Sequence, residues 1–308
     1  MVAVLGVLLA ALAVPVLVYI NRSPVLIVTS SPVATIYGEE RIRRRDILLS
    51  GTLFRPVKTV MVADGVGSDV LIIALTQAAE KPFCVLFPFF LAEAAQRYHG
   101  EFPEIPVVIL SGLANTSRLP SADGILCIYR TDRETDLYRA GLFAGIIGEA
   151  WKKNAESAPV VEENNDKIRQ NVVLLQDNSI QKNLQELFSK GIREQNAETD
   201  VLFVSSVPRM PDEESISCVV IACTTEYLEN NPQVPVVLFS WLDPDLVSIA
   251  ATVVFDDSPW ALAVPAVKMA TQKQPDGQIP SKPLIISTKF ADNGVIKRLK
   301  KLTEKNYE

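Results

Sequence analysis

Short, nearly unbroken apolar runs alternate with longer amphipathic stretches along this chain, and the alternation pauses and restarts near its middle. VLIVT (Val25–Thr29), VKTVMVA (Val57–Ala63), FCVLF (Phe83–Phe87), PVVIL (Pro106–Leu110) and ILCIY (Ile125–Tyr129) have the length of strands and almost no polar face. Strands acquire that composition when helices cover both faces of a parallel sheet. Helices are predicted between them over Glu39–Ser50, Ser68–Ala79 and LAEAAQRYHGEF, residues 91–102. A long helix follows over about Arg133 to Lys153, and the polar stretch from Asn154 to Lys167 reads as a surface excursion. The rhythm then resumes. NVVLL (Asn171–Leu175), DVLFVSS (Asp200–Ser206), CVVIA (Cys218–Ala222), VPVVLFS (Val234–Ser240), ATVVF (Ala251–Phe255) and PLIIS (Pro283–Ser287) are strands, with helices over Ile180–Gln195, DSPWALAVPAVKMA (257–270) and Asn293–Lys305.

The fold class is therefore α/β. At 308 residues the chain can hold one large core or two of ordinary domain size. A single doubly wound enzyme would use the same local elements. Three features favour two halves: the restart, a Pro- and Gly-bearing segment before Pro283, and the lack of a catalytic motif.

The first twenty residues, MVAVLGVLLAALAVPVLVYI, carry no charged side chain and as a helix would reach ~30 Å, enough to cross a hydrocarbon core. Pro15 would kink such a helix without excluding it. Residues 1–22 are read as a signal or a membrane anchor. The absence of a basic leader and of a clear cleavage site favours the anchor. Arg22 and the RIRRR run, Arg41 to Arg45, would by local charge hold the following chain inside, but large domains translocate regardless of that bias, and the outside is chosen here. The basic run itself is read as a solvated or membrane-adjacent helix face.

With a net charge of -6 and both signs mixed throughout, nothing marks a nucleic-acid surface. The four cysteines, Cys84, Cys127, Cys218 and Cys223, sit in or beside apolar runs without C-x-x-C or zinc-ligand spacing, and read as buried thiols. VADGVGSD, Val62–Asp69, places glycines after a strand but has neither the G-x-G-x-x-G fingerprint nor a phosphate-loop lysine, so no cofactor is implied. The sole histidine, His99, lies on a helix away from any strand end, no G-x-S-x-G elbow is present, and no compact metal-ligand set appears. The chain does not read as an enzyme.

YRTDRETDLYRAGLFAGIIG, Tyr129–Gly148, is more specific. A strand ends, a polar corner follows, and a long helix carries G-x-L/F-A-G. This resembles a segment of the basic-membrane-protein and purine-nucleoside-binding group of type I periplasmic binding proteins. LAEAAQRYHGEFPEIPVVILSG (91–112), VPVVLFSWLD (234–243) and ATVVFDDSPWALAVPAVKMA (251–270) are similar to other segments of that group. The likeness covers most of Pro24 to Phe290 in order of elements. It implies two Rossmann-like lobes joined by three crossing strands, with 23–130 plus 256–283 in the N-terminal lobe and 131–255 plus 284–308 in the C-terminal lobe. Crossings are expected near Cys127–Thr131, near Phe239–Trp241 or Thr252–Phe255, and on the approach to Pro283–Ser287. It also implies a small polar solute, such as a nucleoside or sugar, trapped between the lobes and delivered to an ABC-type permease. A membrane-tethered sensor on the same fold is the alternative, and an α/β enzyme a weaker one. The chain departs from the group in TSSPVATIYGEE after the first strand and in lacking a lipid-modified cysteine near its leader.

In such a fold ligand contacts come from carboxyl ends of strands and from helix amino ends, where backbone amides stay available. Ser30 and Ser31 follow the first strand. Asp64 and Ser68 flank the next turn, where Ser68 is either a helix cap or a contact. Phe89 and Phe90 form an aromatic platform or pack in the core. Ser111 ends PVVIL, Arg130 points to the ligand or a salt bridge, and Asp132 caps the long helix or takes a ligand hydrogen bond. In the second half Asp177 and Asn178 follow NVVLLQ, Ser205 and Ser206 end the next strand, and Trp241 and Asp243 follow VVLFS. Asp256 meets ligand or caps the helix holding Trp260. Gly141, Gly145 and Gly148 share a helix face and are expected to let the helix approach a sheet closely.

Overall fold

A computed structural model describes residues 19, 21–30, 38–63, 65–111, 120–156, 171–177, 180–195, 198–223, 226–229, 232–239, 251–287, 289 and 292–304, with backbone only at 111 and 154–156. The leader, residues 1–18 and 20, and the candidates Ser31, Asp64, Asn178, Trp241 and Asp243 lie outside the described residues, as does the side chain of Ser111. Among the described residues no helix is long and apolar enough to cross a membrane.

In chain order the elements are β1 (Val25–Ser30), α1 (Glu39–Leu53), β2 (Val57–Val62), α2 (Ser68–Ala78), β3 (Cys84–Pro88), α3 (Ala92–Glu101), β4 (Val107–Ser111), β5 (Leu126–Thr131) and α4 (Arg133–Glu156). They continue with β6 (Asn171–Leu175), α5 (Lys182–Gln195), β7 (Asp200–Val204), β8 (Ile216–Ile221), α6 (Glu226–Glu229), β9 (Val236–Phe239), β10 (Val253–Asp256), α7 (Pro259–Thr271), β11 (Asp276–Ile279), β12 (Lys282–Ile285) and α8 (Asn293–Glu304). They separate into two compact units. The first holds the described residues up to Thr131 with Pro259–Ile279, and the second holds Asp132–Ser258 with those from Pro280 onward. The chain thus passes from one unit to the other after Thr131, Ser258 and Ile279.

Each unit is built on a sheet of six strands, β2-β1-β3-β4-β5-β11 in the first and β7-β6-β8-β9-β10-β12 in the second. The order within each half is the same: the second strand flanks the first, and the third, fourth and fifth follow on its other side. All pairings in the first sheet are parallel. Helices cover both faces. Ile42 of α1 and Trp260, Ala263 and Val267 of α7 pack with Val25, Ile27 and Leu86 on one face. Leu71 and Leu75 of α2 and Ala95 and Tyr98 of α3 pack with Leu26, Val28 and Val85 on the other. Every residue of β1 is buried as a result, which is why its sequence shows no alternation.

Two edge strands differ from the expectation, one in being a strand at all and the other in its direction. DGQI, which the sequence reading leaves as a Pro- and Gly-bearing segment, forms β11 and pairs in parallel with β5, Arg130 opposite Gln278. Being an edge strand with exposed Asp276 and Gln278, it carries no apolar signature. The last strand, β12, runs antiparallel to β10, so the second sheet is mixed. After β10 the chain leaves for α7 and β11 in the other unit and re-enters at the carboxyl end of β10, with Lys282 opposite Asp256.

Helix α4 is buried on nearly every side from Arg139 to Gly148, as expected of a helix with no polar face there. Its glycines act differently from the sequence reading. Gly141 and Gly145 face not a sheet but α5. A Cβ on Gly141 would strike the carbonyl oxygen of Phe188, and one on Gly145 would lie 3.2 Å from that of Ile192. Gly191 of α5 answers from the other side, against the Tyr138 carbonyl. Only Gly148 meets a sheet, where a Cβ would lie 2.9 Å from Ser217 Oγ of β8. The spacing was legible, but the partner was not, because a face of small residues suits a helix as well as a sheet.

The polar corner before α4 is a helix cap. Thr135 N–H donates to Asp132 Oδ1 at 3.0 Å, and the Thr135 hydroxyl donates to Oδ2 at 2.7 Å. His99 lies within hydrogen-bond distance of Asp123, 2.8 Å, whose other carboxylate oxygen accepts the N–H groups of Ile125 and Leu126. All four cysteines are free thiols, three of them buried.

Candidate functional site

In the first unit the parallel strands bring their carboxyl ends to one edge. The chain leaves β1 toward the face that holds α1 and leaves β3 toward the face that holds α3, so the connections diverge between these neighbouring strands. A crevice outside the carboxyl ends at such a reversal is where open α/β sheets bind ligands. Ser30 stands there, buried at the end of β1 with Val62 of β2 opposite. Pro88 ends β3, and the chain turns through a short 3-10 helix, Phe89–Leu91.

The two phenylalanines divide their roles. Phe89 packs partly buried against the core cluster of that face, while Phe90 is 51% exposed, its ring edge-on to Phe89 at 5.8 Å and 83°. Phe89 is the packing residue, and Phe90 is the free aromatic surface. Farther along the edge, the register aligns Ser111 of β4, Arg130 of β5 and Gln278 of β11 across three adjacent strands. Arg130 is half-buried and Gln278 exposed. Ser68 does not cap α2. It is the first helical residue and Gly67 is the N-cap, which brings no side chain to that end, so among the described residues no N-cap side chain claims the first-turn amides. A serine behind a glycine turn looks like a cap in sequence, and the turn ends one residue earlier.

The second unit repeats the arrangement. The connections after β6 and β8 diverge, with α5 on one face and α6 on the other. Gln176 follows β6. Its N–H donates to the Val204 carbonyl at 2.8 Å, while its side-chain oxygen is buried and accepts no hydrogen bond among the described residues. A buried acceptor left open is uncommon and calls for a donor. Asp177 beside it is exposed. Its charge acts on the half-buried Arg133 at the start of α4, where burial lowers the guanidinium pKa and Asp177 raises it. Ser205 receives the Arg209 guanidinium at 3.5 Å.

Asp256 is almost fully buried, and its Oδ1 accepts the Ser258 N–H at 2.9 Å, closing the turn into α7. Nearby, Asp136 of α4 is wholly buried and accepts both the N–H and the hydroxyl of Ser281, whose carbonyl accepts from Arg139 at 2.9 Å. Burial pushes the Asp136 carboxyl up to about 7, with the negative charge of Asp257 adding to the rise and Ser281 and Arg139 opposing it. This cluster joins the start of α4, just after one passage between units, to Ser281, just after another.

Gln176, Arg133 and the Asp136 cluster were not singled out in the sequence. The signal for Gln176 was present, since it directly precedes Asp177 at a strand end. A lone Asp and Arg on a helix carry none. Among the described residues no group of three or more His, Cys, Asp and Glu side chains comes together as a metal site. Two surface grooves, one of about 570 Å³ along α5 beside Phe203 and one of about 260 Å³ between α4 and α8, touch none of the candidate residues.

No protein-family model matches the chain. No curated protein matches its sequence. Solved structures do match its fold. A solute-binding protein of an ABC transporter system from Conexibacter woesei is similar over 92% of this chain and 95% of its own, with a TM-score of 0.54 and 12% identity. An arabinose-binding protein from Geobacillus stearothermophilus overlaps over 82% of this chain and 87% of its own, with a TM-score of 0.44 and 15% identity. An ABC-transporter periplasmic solute-binding protein from Actinobacillus succinogenes, solved with D-allose, does so over 90% and 100%, with a TM-score of 0.43 and 13% identity. The last two overlaps are too loose to add to the first. What the first shows is the fold: two α/β units, each on a largely parallel sheet.

Proposed function

We propose that this chain is an extracytoplasmic binding protein that captures a small polar solute for uptake by an ABC-type permease and performs no chemistry on it. The observation that carries this reading is the twice-repeated strand order, with open recognition groups on the carboxyl edge of each sheet. On the first edge Phe90 offers an exposed ring face and Arg130 a guanidinium. On the second, Gln176 offers a buried amide oxygen without a donor among the described residues, beside the Asp177 and Arg133 charges. A ring compound bearing hydroxyl or amine donors suits the chemistry of each set taken by itself, and sugars and nucleosides meet that description. Ser30, Ser31, Asp64, Ser68, Ser111, Asn178, Trp241 and Asp256 complete the proposed set. The apolar leader holds the protein at the outer membrane–water boundary.

The test is recovery of bound small molecule from the purified full chain, identified by mass. One compound recovered at one per chain, unchanged after incubation, supports the reading, and its identity separates sugar from nucleoside. Phe90→Ala should weaken its binding by about tenfold to a hundredfold, as loss of an aromatic anchor does. Because the ring is half exposed, the unliganded protein should melt as the parent does. Conversion of the compound during incubation would instead indicate an enzyme. Unchanged affinity in Phe90→Ala and Gln176→Ala together would remove these edges from the site.

A further inference from the structure

We infer that the outward face of α1, continued by Phe54, rests on the lipid surface that receives the apolar leader, with Ile47, Leu48 and Phe54 entering the acyl boundary and Arg41 and Arg43 meeting anionic headgroups. Ile42 and Ser50 mark the buried side of α1, and Glu40, Arg44, Ile47, Leu48 and Gly51 fall on the opposite side at helical spacing. On that side Ile47 is 63% exposed and Leu48 70%, and Phe54 just past the helix is 71% exposed. Exposed apolar side chains grouped in this way mark a candidate interaction surface. Phe54 is held there by the left-handed backbone at the helix end, φ 51°, where a bulky aromatic is rarely found.

The place where the leader enters the fold selects lipid as that partner. Arg22 donates from Nη1 to the Phe54 carbonyl at 2.8 Å, and Val25 N–H donates to the Pro56 carbonyl at 2.8 Å. Arg22, two residues past the uncharged twenty-residue stretch of the sequence, therefore lies beside Phe54. The charges agree in kind. Glu39 and Glu40 open the helix against four arginines; Arg44 is paired to Glu40, and Arg45 lies over the Trp260 ring, which leaves the exposed Arg41 and Arg43 on the flanks. The Glu40–Arg44 pair occupies the amino half of the outward side and Ile47, Leu48 and Phe54 the carboxyl half, so the apolar contact lies at the carboxyl end of α1 with exposed cations available to anionic headgroups. Phe54 and the entry of the leader lie at the amino edge of the first sheet, so contact there leaves the strand ends of Ser30 and Phe90 accessible.

This inference rests on the leader being held in lipid, and the experiment reads the two separately. The full chain is reconstituted in phosphatidylcholine vesicles with and without phosphatidylglycerol, in a Cys223→Ser background that leaves only the buried thiols. Flotation with the vesicles reports the leader. Maleimide labelling at Leu48→Cys and Phe54→Cys, against Ile73→Cys on the exposed side of α2, reports the face. Labelling at 48 and 54 should run about tenfold slower than at 73 in the anionic vesicles, as for an interfacial helix, and Arg41→Gln with Arg43→Gln should narrow the gap. A chain that floats but labels equally at all three positions overturns the docked face and leaves the tether standing. A chain that does not float overturns both. Protection that vanishes on diluting the protein at fixed lipid assigns the face to a second copy and also overturns the inference.

Discussion

Gly141→Ala should destabilise the second unit by about 3 kcal/mol, the upper range for an inserted methyl group that cannot be accommodated. The methyl group would run into the Phe188 carbonyl, while Gly191 closes the contact from α5 against the Tyr138 carbonyl. Backbone atoms stand on both sides, so no side chain can rotate away, and relief requires α4 and α5 to move apart. Separation would open the cluster in which Phe143, Phe188 and Ile192 are fully buried. Gly51→Ala on α1 is the internal control, since a Cβ there meets nothing within 4 Å. It should stabilise by about 0.5–1 kcal/mol through the lower backbone entropy of the unfolded chain. Urea denaturation of both variants checks the pair, and equal midpoints for Gly141→Ala and the parent would refute the close contact.

The second large effect is at Asp136. Its carboxyl is raised from 3.8 to about 7 in the folded chain. The folded state therefore holds the proton more tightly than the unfolded state, and folding stability is full below the ordinary carboxyl value. It declines as pH rises from about 4 to about 7, then levels off. A shift of this size corresponds to about 4 kcal/mol in all, of which about 2–3 kcal/mol falls between pH 5 and pH 8. Asp136→Asn keeps the shape and does not titrate, so the difference in stability between parent and variant should change by that amount in favour of the variant as pH rises. Parallel pH profiles for the two proteins would refute a neutral Asp136. Asp136→Ala does not titrate either; it should cost about 3 kcal/mol at pH 5, where the Ser281 N–H and hydroxyl lose their buried acceptor, and correspondingly less at pH 8. The segment after Ser281 would lose its tie to α4, and with it one of the places where the chain re-enters this unit.

What was legible depended on how local each signal is. The strands of both cores were visible because burial on both faces removes polar residues from the strand itself, as in VLIVT and CVVIA. The polar corner was read as a cap or a contact, and Asp132 with Thr135 supplies a cap from a spacing of three residues. β11 was missed because an edge strand has one neighbour and little apolar surface, so DGQI looks like a turn. The division between Phe89 and Phe90 was not visible either: two adjacent identical residues carry no sequence distinction, and only the 3-10 turn after Pro88 sends one ring inward and the other out.

The sequence by itself therefore determined the α/β class, the two-part rhythm, the closely packed glycine face and the list of strand-end candidates. Each of these follows from burial or spacing within a few residues. Tertiary structure alone decided the strand order, the antiparallel return of β12, the helix that receives Gly141, and the acceptor role of Asp136 toward a serine far along the chain. Those features depend on which distant surfaces meet, and a local pattern of apolar, small or charged residues is compatible with more than one partner.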